Sequence, residues 1–405
     1  MSSTFLSALP LVFVLAGVVL YAVLAGADLG AGFWQLFSGR GRHGEEIREH
    51  AHRSMAPVWE ANHVWLIFVL TVFWTAYPTA FGSIASTLAI PLFLAGIGIV
   101  FRGAAYALRV GASTPRELGV IDTVFSLSSI LTPFALGAMV GGIATGRVPV
   151  GNAAGHRFSS WVNSTSILVG VLAVATSAYL AAVYLAADAA RRDEGALGRA
   201  FRARALGAGV VAGTLALAGI LVLRDDARPL YDELVSGRAL PAVIVSALAG
   251  LATLALLYWR RFEAARYSAA LAVAAVVAGW ALAQWPTLLP GLDLRHAAAP
   301  HDTLVAVVAA VLGGGAIVFP SLAVLFRLTL AGRFDEGPLA SAAPSVRPRP
   351  EARPRLLART AIASLIVGLG LLTVADAGWA HAVGVAAFFA FMVAAFLALA
   401  PAEET

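Results

Sequence analysis

Leu24-Ala-Gly-Ala-Asp28-Leu-Gly-Ala-Gly32 lies inside an apolar run from Phe5 to Ser38, and Asp28 is the only charged residue of that run. The run exceeds the ~20 residues that carry a helix across the hydrocarbon of a bilayer. Asp28 stands about 11 residues from the end of the run near Gly39, which at 1.5 Å per residue is roughly 16 Å deep. A charge at that depth costs on the order of 2.5 to 3.5 kcal/mol on insertion scales, so the carboxylate must face a partner or an internal cavity. Gly26, Gly30 and Gly32 beside it let another backbone approach closely. Two readings stay open: a buried salt bridge or neutral hydrogen-bonded acid, and a proton-handling group. The start of the chain has no basic n-region and no small-residue cleavage site, so this first run is expected to be a retained helix.

Composition extends the reading to the whole chain. Over 405 residues, 60% are hydrophobic and 13% charged, too few charges for a soluble surface. All 28 basic residues are arginine. They fall in short clusters between apolar runs, as in loops of a membrane protein, and no nucleic-acid partner is expected. With no cysteine, disulfides and Cys-ligated clusters are excluded.

Eleven apolar runs of spanning length follow, near residues 5–38, 57–77, 80–108, 119–146, 159–188, 203–223, 239–258, 267–285, 302–327, 358–375 and 378–400. The second and third are separated by a tight hairpin expected at Tyr77–Ser83, because residues 61–101 without Asp, Glu or Arg before the next charge at Arg102 would otherwise form a rod of roughly 60 Å. Loops after odd-numbered runs hold 21 of the arginines and the opposite loops six. The positive-inside rule then puts the N-terminus outside and the arginine-rich loops in the cytoplasm. The expected fold is an all-α integral membrane protein: a nine-helix core, as two four-helix bundles plus one peripheral helix, over residues 1–335. A Pro/Arg-rich cytoplasmic linker over 336–357 and an extra C-terminal helix pair over 358–405 complete it.

Two further stretches carry candidate chemistry. Met55-Ala-Pro-Val-Trp59-Glu60-Ala-Asn62-His63-Val-Trp65 reads as a helix start, where the positive end of the dipole favours Glu60. Glu60 is either a capping charge or a group placed at the membrane edge to collect protons. Arg102 lies about seven residues inside the third run, where an arginine needs a carboxylate, unless it merely snorkels to the interface. Asp28 and Glu60 are the candidate partners. A secondary transporter that uses Asp28 and Arg102 for substrate or ion coupling is the competing reading.

Gly26-Ala-Asp-Leu-Gly30, Pro57-Val-Trp-Glu-Ala-Asn-His-Val-Trp-Leu66, Tyr77-Pro78 and Phe101-Arg102, in this order and spacing, resemble the hallmark segments of cytochrome bd-type quinol oxidase subunit II. Gln284-Trp-Pro-Thr-Leu-Leu-Pro290 and Ala297-Ala-Ala-Pro300 resemble the family's approach to its last helix. The resemblance implies a non-haem subunit in a bacterial inner (plasma) membrane, paired with a haem-carrying subunit I that binds haem b, with or without haem d. That pair oxidises quinol and reduces dioxygen to water with cytoplasmic protons. By position, Asp28 and Glu60 match acidic residues on or near a proton path, and Arg102 matches an arginine beside them. Gly26, Gly30, Trp59, Asn62 and Trp65 match packing positions. Ala25 stands where many relatives carry an acid and His63 where they carry Gln or Glu. Most histidines fall in or near loops; His63 is a weak candidate for a metal ligand, and no metal is expected on this chain.

Overall fold

The structure is a computed structural model, and it describes residues 3–39, 41–55, 59–109, 111–112, 114–330, 354–373 and 377–399. It divides into two compact units, Met1–Pro344 and Ser345–Thr405.

The first span is built in three pieces: α1 (Ser3–Leu20), a π-helical turn (Tyr21–Ala25) and α2 (Gly26–Leu36). A wide turn inserts a residue into the α-helical register, and such turns cluster at functional sites. Asp28 begins three residues after it. Next comes α3 (Arg42–Met55), which the search for apolar runs passes over because its sequence is amphipathic and not apolar throughout. Ile47 and Ala51 on one side of it are fully buried.

The second run becomes α4 (Trp59–Ala76). The expected hairpin is corrected here. The helix breaks at Tyr77, Pro78 opens a separate ten-residue helix α5 (Pro78–Thr87), and a second break at Leu88 precedes α6 (Ala89–Arg109). α4 packs along α1 and α6 along α7 (Pro115–Ala144), so α5 is a spacer that delivers consecutive spans to different neighbours. Proline at the first helical position gives up no intrahelical hydrogen bond, which is why Pro78 starts a helix as readily as it ends one.

α7 opens with a capping box in which the Thr114 hydroxyl accepts from the Glu117 N–H and the Glu117 carboxylate accepts from the Thr114 N–H. α8 (Ser164–Arg191) is capped by Asn163. It is the central helix, packing against α2, α7, α9 (Gly195–Asp226) and α12 (Phe262–Gln284). Residues 178–183 of α8 are buried on every side, as a helix enclosed by other helices must be. α11 (Leu240–Tyr258) packs on α12 and α9, with the short α10 (Arg228–Val235) before it. A two-stranded hairpin, β1 (Thr287–Leu289) and β2 (Leu292–Asp293), and one helical turn, α13 (Leu294–Ala297), lead to α14 (His301–Leu330), which packs on α1 and α4. There the Ala299 N–H donates to the Ala76 carbonyl at 2.8 Å, closing the end of α4.

Eight helices among the described residues are long and apolar enough to cross a membrane, and three shorter apolar helices, Asn62–Ala76, Arg359–Gly368 and Gly378–Phe391, fall within the remaining apolar runs. Outward-facing Leu217, Leu221 and Ile317 are exposed, as residues facing hydrocarbon are. In the second unit, α15 (Pro354–Thr373) and α16 (Gly378–Leu399) form a hairpin in which Gly368 meets the backbone carbonyl of Gly384. Most of the proline-rich linker, residues 336–353, lies outside the described residues.

Candidate functional site

Three helices meet at the charged residue of the first span. α2 brings Asp28, α6 brings Arg102 and α7 brings Ser129 and Phe125. Arg102 Nη2 donates to Asp28 Oδ1 at 2.6 Å and to the Asp28 backbone carbonyl at 3.0 Å. Nη1 donates to the Ser129 hydroxyl, which in turn donates to the Phe125 carbonyl at 2.6 Å. The guanidinium lies 4.1 Å over the Phe125 ring. Both charged residues are about 2% exposed. A cation and an anion taken out of water together are tolerable only with this density of hydrogen bonds. Arg102 is therefore paired to Asp28 and does not snorkel.

Glycine makes the approach possible. A Cβ on Gly32 would overlap the Ser129 side chain, and one on Gly30 would sit 1.9 Å from the Ser177 carbonyl of α8. Gly26 is less demanding: a Cβ there would meet Leu180 at 3.3 Å. Trp34, one turn further along α2, donates from its indole N–H to the Ala178 carbonyl at 2.7 Å. The same α2–α8 seam thus holds Asp28 in place from both sides.

α4 contributes Asn62, nearly fully buried, whose Nδ2 donates to the Leu24 carbonyl at 3.3 Å, inside the π-helical turn. His63 is half-buried and within electrostatic reach of Asp28. Trp65 stacks on Phe319 of α14, with ring centroids 6.1 Å apart. Trp59 and Glu60 stand on the first turn of α4, and their side chains lie outside those described. Among the described residues no group of three or more His, Cys, Asp or Glu is gathered as a metal site.

Sequence reasoning missed Ser129 and Phe125. A serine and an aromatic four residues apart in a long apolar helix carry no distinctive signal; only the α6–α7 packing brings them onto Arg102. It also missed a second polar cluster, at the end of α8. His50 of α3, with no exposed surface, lies between the Glu194 carboxylate and the Leu185 carbonyl.

The sequence model of the family described as cytochrome bd terminal oxidase subunit II matches residues 6–329, an interval that contains the whole Asp28–Arg102 site. The chain belongs to the cytochrome bd terminal oxidase subunit II family. It is 30% identical over 164 residues to cytochrome bd ubiquinol oxidase subunit 2 of Bacillus subtilis (strain 168), covering 39% of this chain and 47% of that one. It is 27% identical over 186 residues to cytochrome bd-I ubiquinol oxidase subunit 2 of Escherichia coli (strain K12), covering 43% and 47%. The chain thus spans about half the length of these curated relatives. The bd oxidase from Geobacillus thermodenitrificans contains a chain that superposes with a TM-score of 0.65 at 25% identity, covering 80% of this chain and 99% of that one.

Proposed function

We propose that this chain is the non-haem subunit of a quinol:oxygen oxidoreductase, that it stabilises a haem-carrying partner subunit, and that it contributes to proton uptake from the cytoplasm. The observation that carries the reading is the Arg102–Asp28–Ser129 cluster, buried in a chain whose family is that of bd oxidases. Three histidines have a ring nitrogen hydrogen-bonded within this chain, which supports placing the haems on the partner: His50 with the Leu185 carbonyl, His156 with the Phe158 and Ser159 N–H groups, and His296 with Asp293. Haem in the partner supplies the oxygen chemistry; this chain supplies fixed charge and proton-bearing oxygens. The N-terminus lies outside and the membrane is the bacterial inner membrane, which puts Glu60 and α3 at the cytoplasmic side.

A guanidinium has only donors, so the proton acceptor of the pair is Asp28. The hydrogen bonds from Arg102 reach Oδ1 and the main-chain carbonyl, and Oδ2 lies outside that fork. Glu60 at the helix mouth is the exchanging group in this scheme, and His63, three residues further along α4, is within electrostatic reach of Asp28. Gly26, Gly30, Asn62 and Trp65 hold the helices at the required spacing.

The test is a visible absorption spectrum of the complex isolated in mild detergent through a tag on this chain, with the co-purifying chains identified. Haem bands brought by a larger partner, and lost when this chain is expressed alone, are expected. A colourless single protein overturns the reading. In the complex, Asp28→Asn is expected to lower quinol oxidation or haem incorporation at least about tenfold, as loss of a charge-assisted bond costs ~1.5 to 3 kcal/mol.

A further inference from the structure

Among the described residues α3 is the one long amphipathic helix outside the spans, and three residues separate its end from the start of α4. What docks it is apolar contact by Ile47 and Ala51, hydrogen bonds from Arg48 to the Ser38 hydroxyl and the Gly39 carbonyl, and the buried His50, which is 0% exposed.

The surroundings of His50 constrain its protonation. Nε2 is 3.1 Å from the Leu185 carbonyl of α8, and Nδ1 is 2.8 Å from Glu194 Oε2, in the turn between α8 and α9. Both neighbours are acceptors. A neutral imidazole has one N–H, so one of its two contacts would be lone pair against lone pair. Only the imidazolium presents an N–H toward each of them. The Nδ1–carboxylate contact is close but lacks hydrogen-bond geometry, so it depends on charge, and only the protonated ring has that charge.

We propose that His50 is a proton-dependent latch: its imidazolium, held between Glu194 and the Leu185 carbonyl, fixes α3 against α8 and the turn after it, and loss of the proton releases α3. The latch rests on this geometry alone.

The other charged groups around the ring are few. From α3, Arg53 also reaches Glu194, at 3.4 Å. From α9, the Phe201 ring lies 5.5 Å from the imidazole, with the Arg204 guanidinium behind it. On α8, Asp188 is taken up by Arg191 and Arg266. Two more histidines share α3: His43 is exposed and pairs with Glu46, while His52 is held neutral well below the usual range.

Hydrogen exchange of the peptide covering residues 42–55, in the detergent-solubilised complex, tests the latch between about pH 5.5 and 8.5. After correction for intrinsic rates, the native complex is expected to exchange on the order of tenfold faster at the alkaline end. His50→Gln, which keeps one donor and cannot charge, is expected to show the same exchange at both ends. Glu194→Gln is expected to move the transition to lower pH, because it removes the anion that favours the charged ring. His43 is present in every arm, so the difference between variants isolates His50. Native protection that does not change with pH, or a pH dependence that survives in His50→Gln, overturns the proposal. Neither result depends on whether the complex oxidises quinol.

Discussion

Asp28 and Arg102 show how much a single buried pair demands of its neighbours. Removing one partner leaves an uncompensated charge, so Arg102→Met is expected to cost about 3 to 5 kcal/mol. Asp28→Asn in the same chain should recover part of that loss, and thermal unfolding of the four proteins of the cycle in detergent measures the coupling. Gly30→Ala is expected to be severe for its size, because the added methyl meets main chain and cannot turn aside. At His52 the pH dependence runs in a stated direction. Burial, then the charges of Arg109 and Arg102, lower its pKa from 6.5 to about 4. Above 6.5 the ring is neutral folded or unfolded. As pH falls from there towards 4 the unfolded chain takes up a proton that the folded chain refuses, and stability is lost. His52→Gln is expected to flatten that acid limb, measured as Tm against pH. At this scale the sequence was informative where a residue was out of place. An acid and an arginine in apolar runs each call for an opposite charge. Ser129, Phe125 and His50 sit where serine, phenylalanine and histidine are ordinary, and nothing local marks them.

Among the elements, apolar length was the reliable signal and punctuation the unreliable one. Long runs such as that at 159–188 became α8 within a few residues, because a bilayer sets the length. Tyr77-Pro78 announced a break without saying what followed, since a proline that stops one helix begins the next; α5 resulted, not a hairpin. The start of α7 was read late because its polar first turn is not part of the apolar run: α7 begins at Pro115, set by Thr114 and Glu117. Thr114→Ala is expected to cost about 1 kcal/mol, visible as increased exchange confined to the first turn of α7. α3 escaped the reading entirely, because an interfacial helix is neither apolar enough to be a span nor polar enough to be a loop.

The molecule as a whole comprises two compact units, with the family match lying inside the first. The class of the fold was legible from composition and run length alone. Which helix touches which was not, because eleven similar apolar runs carry no address for their partners; glycine positions and stray polar groups supply those addresses one contact at a time. A chain ending at residue 342 is expected to insert and keep its helical signal by circular dichroism, since the first unit has its own core. If α15 and α16 occupy the place of a small accessory subunit, that truncation should lower the yield and thermal stability of the assembled complex. An unchanged complex would refute the idea.

The π-helical turn at Tyr21–Ala25 carries a consequence for how the chain can change over time. One residue gained or lost in a helix rotates everything beyond it by about 100°, so shortening that turn by a single codon would swing Asp28 off the axis that points at Arg102 while leaving every side chain intact. Within Tyr21-Ala-Val-Leu-Ala25 a new side chain at buried Val23 or Ala25 is felt by its immediate neighbours, whereas a length change displaces everything beyond it. The segment should therefore tolerate a change of side chain better than a change of number.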